Sequence, residues 1–399
     1  MAVVLVTDGE ERSALATVRS LGKAGHDIVV LSSENRTSLA GWSRWASARH
    51  SGPSSLDRPG AFVETVIRVV EERGVEVVLP MTEASLVALA DEREAVRPAT
   101  IPFPGLETVK RATRKDKVNR AAASVGLAVP KELILGGREE AEGVDLEQVG
   151  FPMVVKAARS VVESGGVRIK TPGAAYAADA EELRAILSKV PDEAYPLLLQ
   201  ERVVGPGMGI FLLVWNDQVY ARFGHRRIRE KPPSGGVSVL RESVQIPDAW
   251  FEAAEELLRG LGWYGVAMVE LKVDSASGSP YLMEINPRFW GSLQLAIDSG
   301  VNFPAALVEL TLGHTVSKVV SYTLGIQTRW MWGDVDNLVA RLRRPIEGNR
   351  AVAGGRRSDR WQAVKDFVTG FGPGVRQEVE RWSDPLPAVA ETTAWLRRK

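Results

Sequence analysis

"YLMEINPRFWGSL", residues 281–293, sets an acid, an amide and an arginine into an apolar stretch. Glu284, Asn286 and Arg288 stand two apart, so on an extended chain they share one side. Upstream, "GVAMVELKVD" (265–274) is a second apolar run, with Glu270 inside it. The intervening "SASGS" (275–279) has the chemistry of a hairpin loop. A hairpin symmetric about Ser277 puts Glu270 directly opposite Glu284. Like charges facing each other across strands destabilise a sheet, and burial adds to the cost, so a cation is expected there. Oxygen donors from Glu270, Glu284 and Asn286 suit a hard ion, Mg²⁺ or Mn²⁺, held partly by substrate phosphates. The competing account turns the acids to solvent or pairs them with arginine; the surrounding Val, Leu, Met and Ile favour it less.

Outward from the hairpin, the chain reads as two textures. "AVVLVT" (2–7), "HDIVVLSS" (26–33) and "VEVVLP" (75–80) are strands alternating with helical patterns at 13–25, 61–74 and 82–94. Such alternation predicts an open parallel sheet with helices on both faces, closed by "RPATIPFPG" near residue 105. "TDGEERSA" (7–14) lacks G-x-G-x-x-G, so no dinucleotide site is assigned. From about 150, short strands interrupted by "DAWFEAAEELLRGLG" (248–262) predict a mixed α+β unit. After 314 the chain reads as a helical or irregular appendage, with a helix in "WMWGDVDNLVARLRR" (330–344) and a basic loop in "GNRAVAGGRRSDR" (348–360). It is expected to pack as an addition or form a dimer surface.

The 399 residues allow two or three domains. Fifty basic and fifty acidic residues balance, which argues against a whole-protein footprint for nucleic acid. With no cysteine, disulfides, thiolate zinc sites and a cysteine nucleophile are excluded. The first residues lack signal-peptide character and no apolar run approaches a membrane span, so a cytoplasmic, membrane-free protein is expected.

The "MEINPR" run (283–288), with its upstream acid strand, resembles the Glu-x-Asn-Pro-Arg signature of the ATP-grasp superfamily, which includes biotin carboxylase and carbamoyl-phosphate synthetase. The resemblance covers residues 1 to about 310. It implies an N-terminal α/β domain (1–105), an ATP-grasp domain (106–313) with a lid subdomain at about 150–203, and the appendage (314–399). It further implies that Glu270 and Glu284 bridge Mg²⁺, Asn286 completes the shell, and Arg288 steadies the transferring phosphate of ATP.

On this resemblance Lys156, ending "FPMVVK", and Lys117, in "KDKVN", are the phosphate-contacting bases. Each alone could be a structural lysine that snorkels to water. "SVVESGGV" (160–167), bearing Ser164, Gly165 and Gly166, is either a hairpin turn or a phosphate-covering loop. "LLLQERVVG" (197–205) resembles the adenine hinge, with Glu201, Arg202 and Val203 at the ring edge; the following "GPGMGIF" carries no acid for the ribose.

"RFGHRRIREKPPSGGVSV" (222–239) is a charged edge strand, a nucleic-acid surface or a site for anionic substrates. Its place between hinge and hairpin favours the last, with Arg226 and Arg227 as catalytic candidates and Lys231, Gly235 and Gly236 near substrate. Ser292 is a candidate lining residue. Glu83, after the strand at 75–80, either belongs to a helix cap or touches substrate. The activity expected is ligation of a small-molecule carboxylate to an amine with release of ADP and phosphate. The alternatives are ATP-driven carboxylation, phosphoryl transfer, or nucleotide binding without turnover.

Overall fold

The computed structural model describes residues 1–142, 150–164, 167–233, 235–343 and 360–398. The first apolar runs form β1 (Val3–Val6), β2 (Asp27–Ser33), β3 (Ala48–Gly52) and β4 (Val77–Leu79), all parallel in the order β3-β2-β1-β4. Helices α1 (Arg12–Lys23), α2 (Pro59–Arg73) and α3 (Glu83–Asp91) lie between them along the chain or follow them. Pro59 opens α2 and Gly74, at φ +63°, ends it in the left-handed conformation that glycine tolerates. Because β1 pairs with β2 on one side and β4 on the other, strand order reverses there. The carboxyl ends of β1 and β4 therefore open a crevice of the kind where ligands gather, and α1 and α3 both begin at it. Helices α4 (Leu106–Thr113) and α5 (Lys115–Ser124) lead out of this unit.

Next come β5 (Glu132–Leu135), β6 (Met153–Ala157), β7 (Val161–Ser164), β8 (Val167–Lys170), β9 (Ala175–Ala177), α6 (Ala180–Leu187) and β10 (Leu197–Glu201). Strands β7 and β8 pair only with each other; the others form an antiparallel sheet in the order β5-β10-β6-β9. Met153, Val155, Leu183, Leu197 and Leu199 give this sheet a small core of its own, separate from the one that the N-terminal and central units share.

The central unit contains β11 (Gly207–Trp215), β12 (Gln218–Lys231), β13 (Val237–Ser243), α7 (Asp248–Gly260), β14 (Gly265–Val273), β15 (Pro280–Asn286), α8 (Leu293–Asp298) and α9 (Phe303–Thr311). Beyond them lie β16 (Gln327–Arg329), α10 (Met331–Arg343), α11 (Arg360–Thr369), β17 (Val375–Gln377) and α12 (Leu386–Arg397). The sheet order is β15-β14-β11-β12-β13-β16-β17, antiparallel except for the last pair. The edge-strand alternative falls, and one correction follows. The basic run at 222–231 lies on an interior strand, since β13 covers β12 on the side away from β11. The segment after 314 is not only helical or irregular: its β16 and β17 extend the central sheet, three-residue strands too short to show a period in the sequence. Among the described residues no helix is long and apolar enough to cross a membrane.

Candidate active site

The β14–β15 hairpin carries the acids as its sequence predicts, by a different route. Asp274 accepts hydrogen bonds from the Ser277 amide and hydroxyl, which fixes the turn. The ladder closes on Val273–Pro280, one residue out of the register that symmetry about Ser277 requires. A bulge at Met283 absorbs the difference, so that Leu271 faces Leu282 yet Glu270 still faces Glu284. Bulges leave a residue unpaired and cluster beside active sites. Here the Met283 carbonyl accepts from Lys156 Nζ at 3.1 Å, which ties β6 of the small sheet to the hairpin.

Side chains of Glu270 and Glu284 are 17% and 31% exposed, so they face an opening rather than the core. Each has a cation. Arg227 NH2 lies 2.5 Å from Glu270 Oε2, and its NH1 donates to Glu230 at 3.0 Å. Lys115 Nζ lies 3.3 Å from Glu284 Oε2 and donates to Ser160 Oγ at 3.0 Å. Asn286 Nδ2 donates to Glu284 Oε1 at 3.3 Å, and Arg288 NH2 donates to Asn286 Oδ1 at 3.0 Å. Burial pushes the Glu270 carboxyl up, with Glu284 adding to it and Arg227 opposing. Burial acts on Glu284 too, but Lys115 and Lys156 outweigh it and hold that carboxyl below its ordinary value. Lys156 falls to about 8 through burial and the neighbouring Lys115. The two acids differ because one has a single guanidinium and the other sits between two ammonium groups.

A row across the sheet continues from Glu284 and Glu270 through Gly209 to His225 and Ser243. Gly209 is forced by packing: a Cβ there would lie 2.6 Å from the Phe211 ring and 3.0 Å from His225 Nε2. His225 is buried, and burial with Arg227 and Arg241 nearby keeps it neutral, its pKa well below the usual value. From the N-terminal unit, Glu83 enters the same field. Burial raises its carboxyl, while Lys115 and Arg288 pull the other way and Glu284 adds to the rise. Its neighbour Thr82 caps α3 in a reciprocal box with Ser85, leaving the Glu83 side chain free of that duty.

Three expectations are corrected. Lys117 is exposed, whereas Lys115, which the sequence reading passed over, is buried at Glu284. The two lie about 200° apart around a helix, and the buried face of α5 contains Lys115, Val118, Asn119 and Ala122. That apolar stripe was the available signal. Arg226 points away from the acids to an ion pair with Glu242 at 2.7 Å, because adjacent strand residues alternate faces. Ser292 is buried beneath the site, its hydroxyl 3.3 Å from His225 Nδ1, rather than lining an opening.

The remaining candidates are dispersed. Glu201 Oε1 accepts from the Lys131 amide at 2.9 Å, Arg202 lies over the Tyr176 ring with its CZ 5.5 Å from the centroid, and Val203 is buried. Lys231 pairs with Asp336 at 2.5 Å and faces Trp330. Gly236 offers its carbonyl to Arg227 NH1 at 3.2 Å, and Gly235, at φ +126°, adjoins Tyr176. The Ser164 side chain, Gly165 and Gly166 lie outside the described residues.

Residues 193–333 match a family model described as ATP-grasp in the biosynthetic pathway with Ter operon. The chain is 25% identical over 292 residues to the carbamoyl phosphate synthase large chain of Pseudomonas aeruginosa, covering 66% of this chain and 25% of that one. It is 26% identical over 229 residues to the arginine-specific large chain of Geobacillus stearothermophilus, covering 54% and 21%. The chain thus spans about a quarter of the length of the curated relatives it matches. Among solved structures, L-amino acid ligase from Bacillus licheniformis superposes with a TM-score of 0.63 at 17% identity, covering 79% of this chain and 75% of that one. The ADP complex of N5-carboxyaminoimidazole synthetase from Staphylococcus aureus gives 0.62 at 14%, covering 82% and 80%. At these identities the structural likeness speaks for the fold. Over residues 193–333 the chain is similar to an ATP-grasp family, and its fold is similar to that of these solved ligase and synthetase structures.

Proposed function

We propose that the chain joins a carboxylate to an amine at the expense of ATP. The observation that carries this reading is the convergence on one opening of Glu270 and Glu284 from the central sheet, Lys156 from the small sheet, and Lys115 with Arg288 beside them. Two carboxylates and an amide oxygen form a hard-oxygen donor set that suits Mg²⁺, and Arg227 and Lys115 now balance their charge. Glu270, Glu284 and Asn286 would hold the metal, which supplies charge neutralisation to the phosphates when bound.

Lys115 and Lys156 suit the nucleotide's phosphates, and Arg288 the phosphoryl group in transfer. The substrate carboxylate oxygen attacks the γ-phosphorus of ATP as the bond to ADP breaks, giving an acyl phosphate. An uncharged amine then attacks the acyl carbon, loses a proton, and expels phosphate. Glu83, a carboxylate held near Lys115 and Arg288 with a raised pKa, is suited to meet that amine as its ammonium ion or to take its proton. Glu201, Arg202 and Val203 are assigned to the adenine edge and Arg227 to the anionic substrate.

Amino acids supplied in pairs with Mg-ATP test the reading through released ADP and phosphate and the mass of the product. A product one water lighter than the two acids combined is expected. ADP release that requires bicarbonate instead would make the protein a carboxylase, and ATP binding without release under any pairing would remove ligation altogether.

A further inference from the structure

Arg12 opens α1 at the carboxyl end of β1, on the crevice where strand order reverses. Its side chain is 10% exposed. NH1 donates to Glu378 Oε2 at 2.5 Å, and the guanidinium lies over Trp330 with its CZ 4.0 Å from the ring centroid. NH2 faces Gly291, where a side-chain carbon would come to 3.0 Å, and makes no hydrogen bond among the described residues. The group is therefore held on two sides, with its NH2 edge unpaired beside Gly291. No side chain caps the first turn of α1, and the acids just before it, Glu10 and the N-cap Glu11, are paired with Arg36.

Charge around this arginine is unbalanced. Glu378 serves both Arg12 and the fully buried Arg241, one carboxylate for two guanidiniums. Burial pushes Glu378 up, but the two arginines together hold it below its ordinary value. Burial raises the other nearby acids, Glu380 and Glu391, and brings Glu391 to about 7, so Glu391 compensates incompletely at neutral pH. A buried excess of positive charge with a free planar donor edge fits a carboxylate.

The position says which carboxylate. Gly291 comes three residues after Arg288, and Arg288 lies in the field at Glu83. The acid to be activated must reach the phosphate beside Glu284 and Arg288, whereas a carboxylate held at Arg12 lies further along this segment, on the side of the crevice. We propose that Arg12, positioned by Glu378 and Trp330, binds the free carboxylate of the amine substrate, which is therefore an amino acid or a peptide with a free C-terminus. This deepens the ligase reading and rests on it for the substrate's role, though not for the site.

The test titrates the full chain, with a non-hydrolysable Mg-ATP analogue, against each of the twenty amino acids and its C-terminal amide. The wild type is expected to bind at least one acid about tenfold or more tightly than its amide. Arg12→Ala should weaken that acid by about 10- to 100-fold, the loss of a charge-assisted pair, and leave the amide unchanged. Arg12→Lys should recover part of the preference, and Gly291→Ala, which crowds NH2 without removing it, should lower it. In turnover the loss should fall on KM for the acid, with kcat and KM for ATP within a few-fold. Equal binding of acid and amide, equal weakening of both by Arg12→Ala, or no binding of any acid would overturn the assignment. Acid-selective, Arg12-dependent binding without ADP release under any pairing would retain the site and discard the ligase reading.

Discussion

At the scale of single residues, the contrast between Lys115 and Lys117 makes the sharpest test. Lys115 Nζ spans Ser160 and Glu284 in a half-closed site, whereas Lys117 is exposed on the other face of α5. Lys115→Ala should raise the Kd for ATP about 10- to 100-fold, the expected cost of a charge-assisted contact. Lys117→Ala should leave it within about twofold, as surface charges do. Calorimetric titration of ATP separates them; equal effects would return the role to Lys117. The sequence made Glu270, Glu284, Asn286 and Arg288 legible because acids, an amide and an arginine at two-residue spacing conflict with an apolar sheet face. It left Lys115 obscure because two lysines flank Asp116, and only the helical phase set by Val118 and Ala122 distinguishes them.

At the scale of elements, pairing of the hairpin was legible and its mechanism was not. A loop of small polar residues announces a turn, but nothing in "YLMEIN" marks Met283 as the bulged position. The choice is made in three dimensions, where Lys156 takes the carbonyl that the ladder releases. Gly209 is another constraint hidden until the sheet is assembled. Phe211 packs on Trp290 with centroids 4.3 Å apart and on His225 at 4.7 Å, so neither neighbour has room to retreat. Gly209→Ala should therefore lose about 1–3 kcal/mol of stability through overpacking. Gly260→Ala is the matched control: it ends α7, has nothing within 4 Å of its would-be Cβ, and should be neutral or stabilised by up to about 1 kcal/mol. Urea unfolding of both variants reads the difference, and a neutral Gly209→Ala would show that the row from Glu270 to His225 tolerates a side chain.

At the scale of the whole molecule, the segment after 314 is bound in by charge as much as by apolar contact. Arg19 on α1 pairs with Asp384 at 2.8 Å, Glu378 joins Arg12 to Arg241, and Trp332 stacks on Trp395 at 4.3 Å. Its acids Glu378 and Asp384 pair with Arg12 and Arg19, 366 and 365 residues away, so the sequence gives no local sign of this docking. Glu391 on α12 makes this docking sensitive to pH. Its Oε1 accepts from Trp330 Nε1 at 2.7 Å. Burial pushes the carboxyl from 4.5 to about 7, with the Trp330 bond and Arg12 opposing and Glu380 and Glu378 adding to the rise. Between those values the folded chain keeps a proton that the unfolded chain has released, so this group's contribution to stability falls as pH rises and stays low above 7. Glu391→Gln retains an acceptor for Trp330 and has no charge to bury. It should match the wild type near pH 4.5 and exceed it at pH 8 by about 2–3 kcal/mol. Urea unfolding at pH 5 and pH 8 measures both terms. A constant difference between the two chains across that range would mean that Glu391 ionises in the folded protein as it does in water, and that α12 docks without a buried proton.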